Sequence, residues 1–373
     1  MTEALKIPKI PGKKRREAKQ AVQDALGDQR HFPCPSCGAD LRFHPGEAQM
    51  VCTHCEARVP VPDVDDAAAH IEHDFHKFLK DDLKRPEIEV SALNCSTCGA
   101  SVEFNPDEHS RTCPFCDSVI VADVSTQRKL VPQGLLPFQL MEKEAQAALR
   151  DWLSSRWLAP NDIEEESKAD KFNGIYVPIW TYDSTTTTSY KGQRGRSVGS
   201  GKNRRTVWTN VSGTVTGSFD DVMVSGSASV SAEFKDALGP WPTHKLETYQ
   251  TEFLAGFRAE NHTVGLAEGF AQADRFMKVK ITDWIRADIG GSRQRILSSS
   301  TSHANQTFKH ILLPVWITHY SLDKKRYRLS VNGATGKVYG QRPFSMLKLF
   351  GASAGASGVM AVLGVMLSRA MGA

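Results

Sequence analysis

All eight cysteines of this chain lie between Cys34 and Cys116, in four CxxC pairs that form two matching sets. The first set is Cys34, Cys37, Cys52 and Cys55; the second is Cys95, Cys98, Cys113 and Cys116, with fourteen residues between the pairs of each set. Two residues between cysteines let one tight turn aim both sulfurs at one ion, and a hairpin that returns a second such turn completes a tetrahedron. Gly38 and Gly99 follow the first pair of each set, where a positive φ would curl the backbone round the sulfurs and point amides at them. Disulfides are the competing reading, but the amino terminus carries no secretory signal, and CxxC pairs in a reducing compartment stay as thiols or thiolates. A catalytic ion needs an open position, which four thiolates close. The expectation is two structural Zn2+ ions; iron would also fit four sulfurs.

The sets agree between their cysteines as well. The stretch "CGADLRFHPGE" matches "CGASVEFNPDE" at Phe43/Phe104, Pro45/Pro106 and Glu47/Glu108, with an offset of 61 residues. This is an internal duplication of a ribbon plus a linker. Each ribbon is too small to fold without its metal, so metal binding supplies folding energy.

The rest of the 373-residue chain has room for a larger body. A net charge of +4 is too small to imply a nucleic-acid partner by itself, so any such partner must be read from where charge is concentrated. Residues 1–30 form a basic arm, and 63–90 carry Ile71, Phe75, Phe78 and Leu79 in the stripe of an amphipathic helix. His70, His73 and His76 lie beside that stripe. They lack the HExxH order of a zinc protease and read as exposed helix histidines. A proline-punctuated entry strand near 130–140 leads to a helix with Ala145, Leu149, Trp152 and Leu153 on one face. Strand-like text follows at 174–190 and continues through "VSGTVTGSFDDVMV". A helix over about 264–287 stops at Gly290-Gly291, and strands over 293–341 turn at Asn332-Gly333 and Thr335-Gly336.

"YVPIWTYD" at 176–183 echoes "LLPVWITHY" at 312–320. The two read as equivalent or neighbouring strands of a mainly antiparallel sheet, their prolines marking an edge or a bulge. Between Tyr190 and Trp208 lie Lys191, Arg194, Arg196, Lys202, Arg204 and Arg205 with no acid among them. With its glycines and serines this stretch reads as a flexible loop able to contact phosphate, of lipid or of nucleic acid. It is not a Walker loop, because Asn203 follows Lys202 where Ser or Thr is required. No other local motif supports an enzyme.

From Leu349 to Leu367 the chain is uncharged over nineteen residues, bracketed by Lys348 and Arg369. As a helix over 346–368 this is long enough to cross a bilayer. It would leave the body on the cytosolic side of the inner membrane, and its Gly351/Gly355 spacing would let two such helices approach closely as a homo-oligomer.

With its two CxxCGA ribbons, the "YVPIWTYD" and "LPVWITHY" segments and "VNGATGKVYGQRPFS" before an apolar tail, the chain resembles a bacterial family described as TFIIB-type zinc-ribbon proteins, often labelled primosomal-helicase-like. The resemblance implies the eight cysteines as metal ligands and supplies no catalytic residue. Some similar proteins are membrane-associated and linked to membrane-stress systems of the phage-shock type. The expected fold class is therefore α+β: two rubredoxin-like four-cysteine zinc ribbons (31–62 and 91–124), a mainly antiparallel α+β domain (125–343) and a carboxy-terminal apolar helix. The expected function is a non-enzymatic, membrane-tethered adaptor that recruits protein partners. The alternative is a nucleic-acid-binding zinc-ribbon protein of replication or transcription.

Overall fold

The computed structural model describes residues 32–65, 67–80, 87–103, 111–120, 124–154, 172–199, 201, 204–322 and 325–340. The basic arm and the apolar segment 346–368 lie outside the described residues. Among those described, no helix is long and apolar enough to cross a membrane.

The first ribbon is a three-stranded antiparallel sheet of β1 (Leu41–His44), β2 (Gln49–Cys52) and β3 (Arg58–Pro60). The expected linker helix is not continuous. Two short helices, α1 (Ala67–His70) and α2 (Phe75–Lys80), flank a two-residue strand β4 (His73–Asp74). The helical stripe fails here because His73 and Asp74 pair instead with Phe308 and Thr307 of a long strand of the body, so a tertiary ladder overrides local propensity. His73 is accordingly half-buried against Phe78 and Phe308 rather than solvated.

The second ribbon contributes β5 (Glu87–Asn94), β6 (Ser101–Glu103), β7 (Arg111–Thr112) and β8 (Val119–Ile120), with β5 also pairing β9 (Val124–Leu130). The body follows with β10 (Gly134–Leu135), α3 (Glu142–Ser154), β11 (Asn173–Val198), β12 (Arg205–Ser225), α4 (Ala232–Leu238), β13 (Glu247–Thr248) and β14 (Arg258–Ala259). It ends with α5 (Leu266–Ile289), β15 (Arg293–Leu322), β16 (Lys325–Asn332) and β17 (Val338–Gly340). Ala145, Leu149 and Leu153 are the buried face of α3. Gly290, at φ 64°, caps α5 where the sequence places its stop.

β11 and β15 are the long central strands of a nine-stranded, mostly antiparallel sheet ordered β12-β11-β15-β10-β13, with β4, β14, β16 and β17 on its flanks. The two echoing segments are neighbours in it: Tyr176 faces Pro314 and Pro178 faces Leu312. Neither proline lies on an edge strand. Instead each stands where a ladder on its other side stops: β12 ends its pairing at Ile179, and β16 begins at Val315. The missing N–H therefore falls in a gap, and the carbonyls of Pro178 and Pro314 still accept from Gly226 and Gly333 at 2.8 and 2.9 Å.

Alternation along β11 and β15 divides the sheet into two faces. Tyr176, Leu312 and Trp316 point into a core completed by Leu41, Phe43 and Met50 of the first ribbon. Ile175, Val177, Ile179, Ile311 and Leu313 point the other way, into a core completed by Leu93, Val102 and Phe115 of the second ribbon, with Phe234 of α4. The ribbons thus cover opposite faces of one sheet. Farther along, α5 lies over the first-ribbon face through Met277, Ile281, Ile285 and Ile289, packed on Trp180, Tyr182 and Tyr190.

Beyond Asp183 the opposite face is exposed along three strands. Thr185, Thr187 and Ser189 of β11 stand beside Ser302 and Ser300 of β15 and Thr216 and Thr214 of β12.

Candidate metal centres

Each CxxC turn is built alike. The N–H of the residue after the second cysteine donates to the carbonyl of the first: Gly38 to Cys34 (2.8 Å), Glu56 to Cys52 (3.2 Å), Gly99 to Cys95 (2.9 Å) and Asp117 to Cys113 (2.7 Å). All four residues have positive φ: 76°, 60°, 76° and 56°. The sequence marks the first turn of each set with glycine. The second turn reaches the same conformation with Glu56 and Asp117, against the steric preference of an L-residue.

These turns bring the sulfurs together. Cys34 and Cys55 lie 3.6 Å apart and Cys37 and Cys52 3.5 Å; in the second set Cys95 and Cys116 are 3.5 Å apart and Cys98 and Cys113 3.6 Å. All eight cysteines are free of disulfides. A tetrahedron of thiolates at about 2.3 Å from zinc has edges of about 3.8 Å, so each set could hold one metal ion with little movement. The amides of Cys55 and His54 approach the Cys52 sulfur at 3.5 and 3.4 Å and hold its thiol down at about 6. At Cys95, burial pushes the thiol up but the amides of Cys98 and Thr97 outweigh it, leaving about 7. Backbone donors thus favour the thiolate at these two cysteines, whereas burial pushes Cys98 and Cys113 up and, against the amide of Ala57, the neighbouring sulfurs push Cys55 up.

Both centres are tied into the body. The Phe43 ring meets Phe253 at 5.1 Å, and the Phe43 amide donates to the Ala255 carbonyl at 3.0 Å. In the second ribbon the Phe115 carbonyl accepts from buried His319 Nε2 at 3.0 Å, and Asn261 N–H donates to the Ser101 carbonyl at 2.8 Å. Below it lies buried Glu260, whose Oε1 accepts from Ser227 and Ser229, each at 2.5 Å. Burial pushes its carboxyl up to about 7.

A third group, Glu72, Asp183 and Asp220, also converges within metal-ligand reach. Its position is already taken by a cation: Lys309, 5% exposed, sets Nζ 2.6 Å from Glu72 and 2.9 Å from Asp221. Sequence reading missed this cluster because Glu72, Asp183 and Lys309 are each more than a hundred residues from one another and meet only through the pairing of β4, β11 and β15.

The basic stretch expected as a loop is the end of a β-hairpin. Lys191, Arg194 and Arg196 are on β11, Arg205 opens β12, Arg204 precedes it, and Lys202 lies outside the described residues. The strands pair without interruption from Val198/Arg205 inward to Ser184/Phe219, so backbone ladders prevail over a loop-like composition. The side chains do not form one site. Lys191 is on the hydroxyl-rich face, whereas Arg194 and Arg196 are on the face of α5, and Arg194 Nε donates to the Ile289 carbonyl at the end of that helix. Arg293 and Arg295 of β15, which the sequence reading did not single out, join Lys191 on the hydroxyl-rich face, and the Arg295 guanidinium stacks 3.9 Å from the Trp208 ring.

No family model matches the chain, and no solved structure resembles it significantly. The chain is similar to a Bacillus subtilis (strain 168) protein described as "Uncharacterized protein YdjG". The two are 24% identical over 323 residues, covering 85% of this chain and 91% of that one.

Proposed function

We propose that this chain is a non-enzymatic scaffold whose sheet is clamped by two structural zinc ions and which is held at the cytosolic face of the membrane by residues 346–368, where it recruits protein partners. The observation that carries the reading is the closure of both centres. Each has four sulfur donors and, among the described residues, no fifth protein group, and two cysteines of each, Cys34 and Cys52 in one and Cys95 and Cys113 in the other, are packed into the same cores as the sheet. Such a metal holds shape and leaves no coordination position for substrate. The uncharged stretch Leu349–Leu367 supports the tether.

The test is fractionation of the full-length chain beside one ending at Ser345, with salt and carbonate washes of the membrane pellet and metal analysis of both. The expected result is two zinc ions in each, with only the full-length chain resisting extraction. Recovery of both chains in the soluble fraction would overturn the tether, and labile or substoichiometric metal in folded protein would overturn the structural role.

A second reading, nucleic-acid binding, is supported by the open hydroxyl-rich face. Lys191, Arg293 and Arg295 flank Trp208 there, and no carboxylate occurs from 184 to 219. It predicts affinity for single strands that falls with salt and is lost in the Arg293→Ser/Arg295→Ser variant.

A further inference from the structure

Strand β12 has a free edge. Among the described residues its one neighbour is β11, and from Arg205 to Phe219 it carries no proline and no bulge in its ladder. Long edges of this kind pair with other strands unless something blunts them.

Three features of that edge are complementary to the same edge run in reverse. Its start is basic, at Arg204 and Arg205, and its end carries the exposed carboxylate of Asp220. At its start Val198 and Val207 are 48% and 44% exposed, on the sheet face that α5 covers. Near its other end Phe276 and Val279 of α5 are 42% and 66% exposed. The helix turns Phe276 toward the β12 side: it lies near Lys235, whose Nζ bonds the Met223 carbonyl, while Asp274 on the opposite flank reaches His303 of β15.

We propose that β12 pairs antiparallel with β12 of a second copy, in a register centred on Gly213. In that register Val207 faces Phe219 of the second copy and Val211 faces Val215. On the other face Ser212 meets Thr214. Every rung from Val207 to Phe219 therefore joins like faces, and the Ser212 and Thr214 hydroxyls meet. The helices fit as well. α5 rests on Gly213 and Gly217 of β12, through Asp288 and Trp284, and on Gly192 of β11, through Ile289, so its axis lies over the two strands. With strands about 4.8 Å apart, the two helices of the pair run roughly 10 Å from each other, a normal packing distance. Phe276 precedes Trp284 by eight residues, about 12 Å of helix axis. That places it over the rung where Val207 of the second copy arrives. The exposed valines of each copy are covered by Phe276 of the other, twice over by symmetry.

The test uses the zinc-loaded full-length chain in mild detergent. Ser212→Cys and Thr214→Cys variants are oxidised separately and after mixing, and masses are measured for wild type and for Val207→Lys, an exposed position where folding is not at stake. The expected outcome is a wild-type dimer, a disulfide-linked dimer only in the mixture, and self-association weakened at least roughly tenfold by Val207→Lys. A monomeric wild type, as expected if the strand of a different protein occupies this edge, overturns the proposal. So does a dimer insensitive to Val207→Lys that gives no cross-link, which would be an association through the apolar tail.

Discussion

Ile175 and Tyr176 are consecutive residues of one strand, yet Ile175 packs in the core shared with the second ribbon and Tyr176 in the core shared with the first. A single turn of the pleat therefore links both metal centres to the same backbone. Truncating a ribbon side chain at either core should be felt throughout the sheet. Phe43→Ala, which removes the ring against Phe253, should cost about 3–5 kcal/mol. Denaturant unfolding followed by tryptophan fluorescence should show one transition shifted as a whole, rather than an early loss of the first ribbon alone. Cys52→Ser should lower bound zinc from two to one and destabilise the body by at least as much.

The four cysteine turns offer a test of backbone strain with an internal control. Glu56 and Asp117 hold the left-handed conformation that glycine holds at 38 and 99. Glu56→Gly should stabilise the zinc-loaded chain by about 0.5–1 kcal/mol, whereas Gly38→Ala should destabilise it by about 1–2 kcal/mol. Thermal unfolding at saturating zinc would measure both.

Glu260 makes stability pH-dependent. Its carboxyl, held near 7 in the fold, titrates near 4.3 in an unfolded chain, so the folded state binds the proton more tightly. Its contribution is fully present below the unfolded value and is lost as pH rises through about 7. Glu260→Gln keeps an acceptor for Ser227 and Ser229 and cannot ionise. It should be more stable than wild type by about 3 kcal/mol above pH 8 and nearly equal to it at pH 4, as read from paired denaturation curves.

Lys309 is the cation among Glu72, Asp183 and Asp221. Lys309→Met should leave these carboxylates facing one another without a counter-ion and cost about 3 kcal/mol at neutral pH. The loss should shrink on acidification, since protonating a carboxylate relieves the repulsion. A loss unchanged between pH 5 and 8 would mean that the lysine acts by packing alone.

The metal centres were legible because their signal is local: CxxC spacing, the trailing glycine and the duplication need no knowledge of the rest of the fold. The long helix was legible for the same reason, since seven buried positions from Leu266 to Ile289 and a glycine stop lie in one run of sequence. The hairpin from Lys191 to Arg205 was not. Its Gly, Ser and Arg composition is that of a loop, and it is extended because β15 supplies a ladder from a hundred residues away. The broken linker has the same cause, since His73 and Asp74 take the conformation of the strand they border. Nor could sequence reveal that two duplicated ribbons bind opposite faces, which depends on the alternation of β11 and β15 rather than on either ribbon.

Chain order gives that arrangement a consequence for synthesis. Both ribbons precede the long strands of the sheet they cover, so on a ribosome they emerge before β11, and before β15 by more than 170 residues. Domains made during translation fold from the amino end. A ribbon that has captured its ion is then a finished surface waiting for the strand that will lie on it, while an empty ribbon leaves the cores around Ile175 and Tyr176 uncovered on the ribbon side. The supply of metal at that moment, rather than in the mature protein, would decide how many chains reach the folded state.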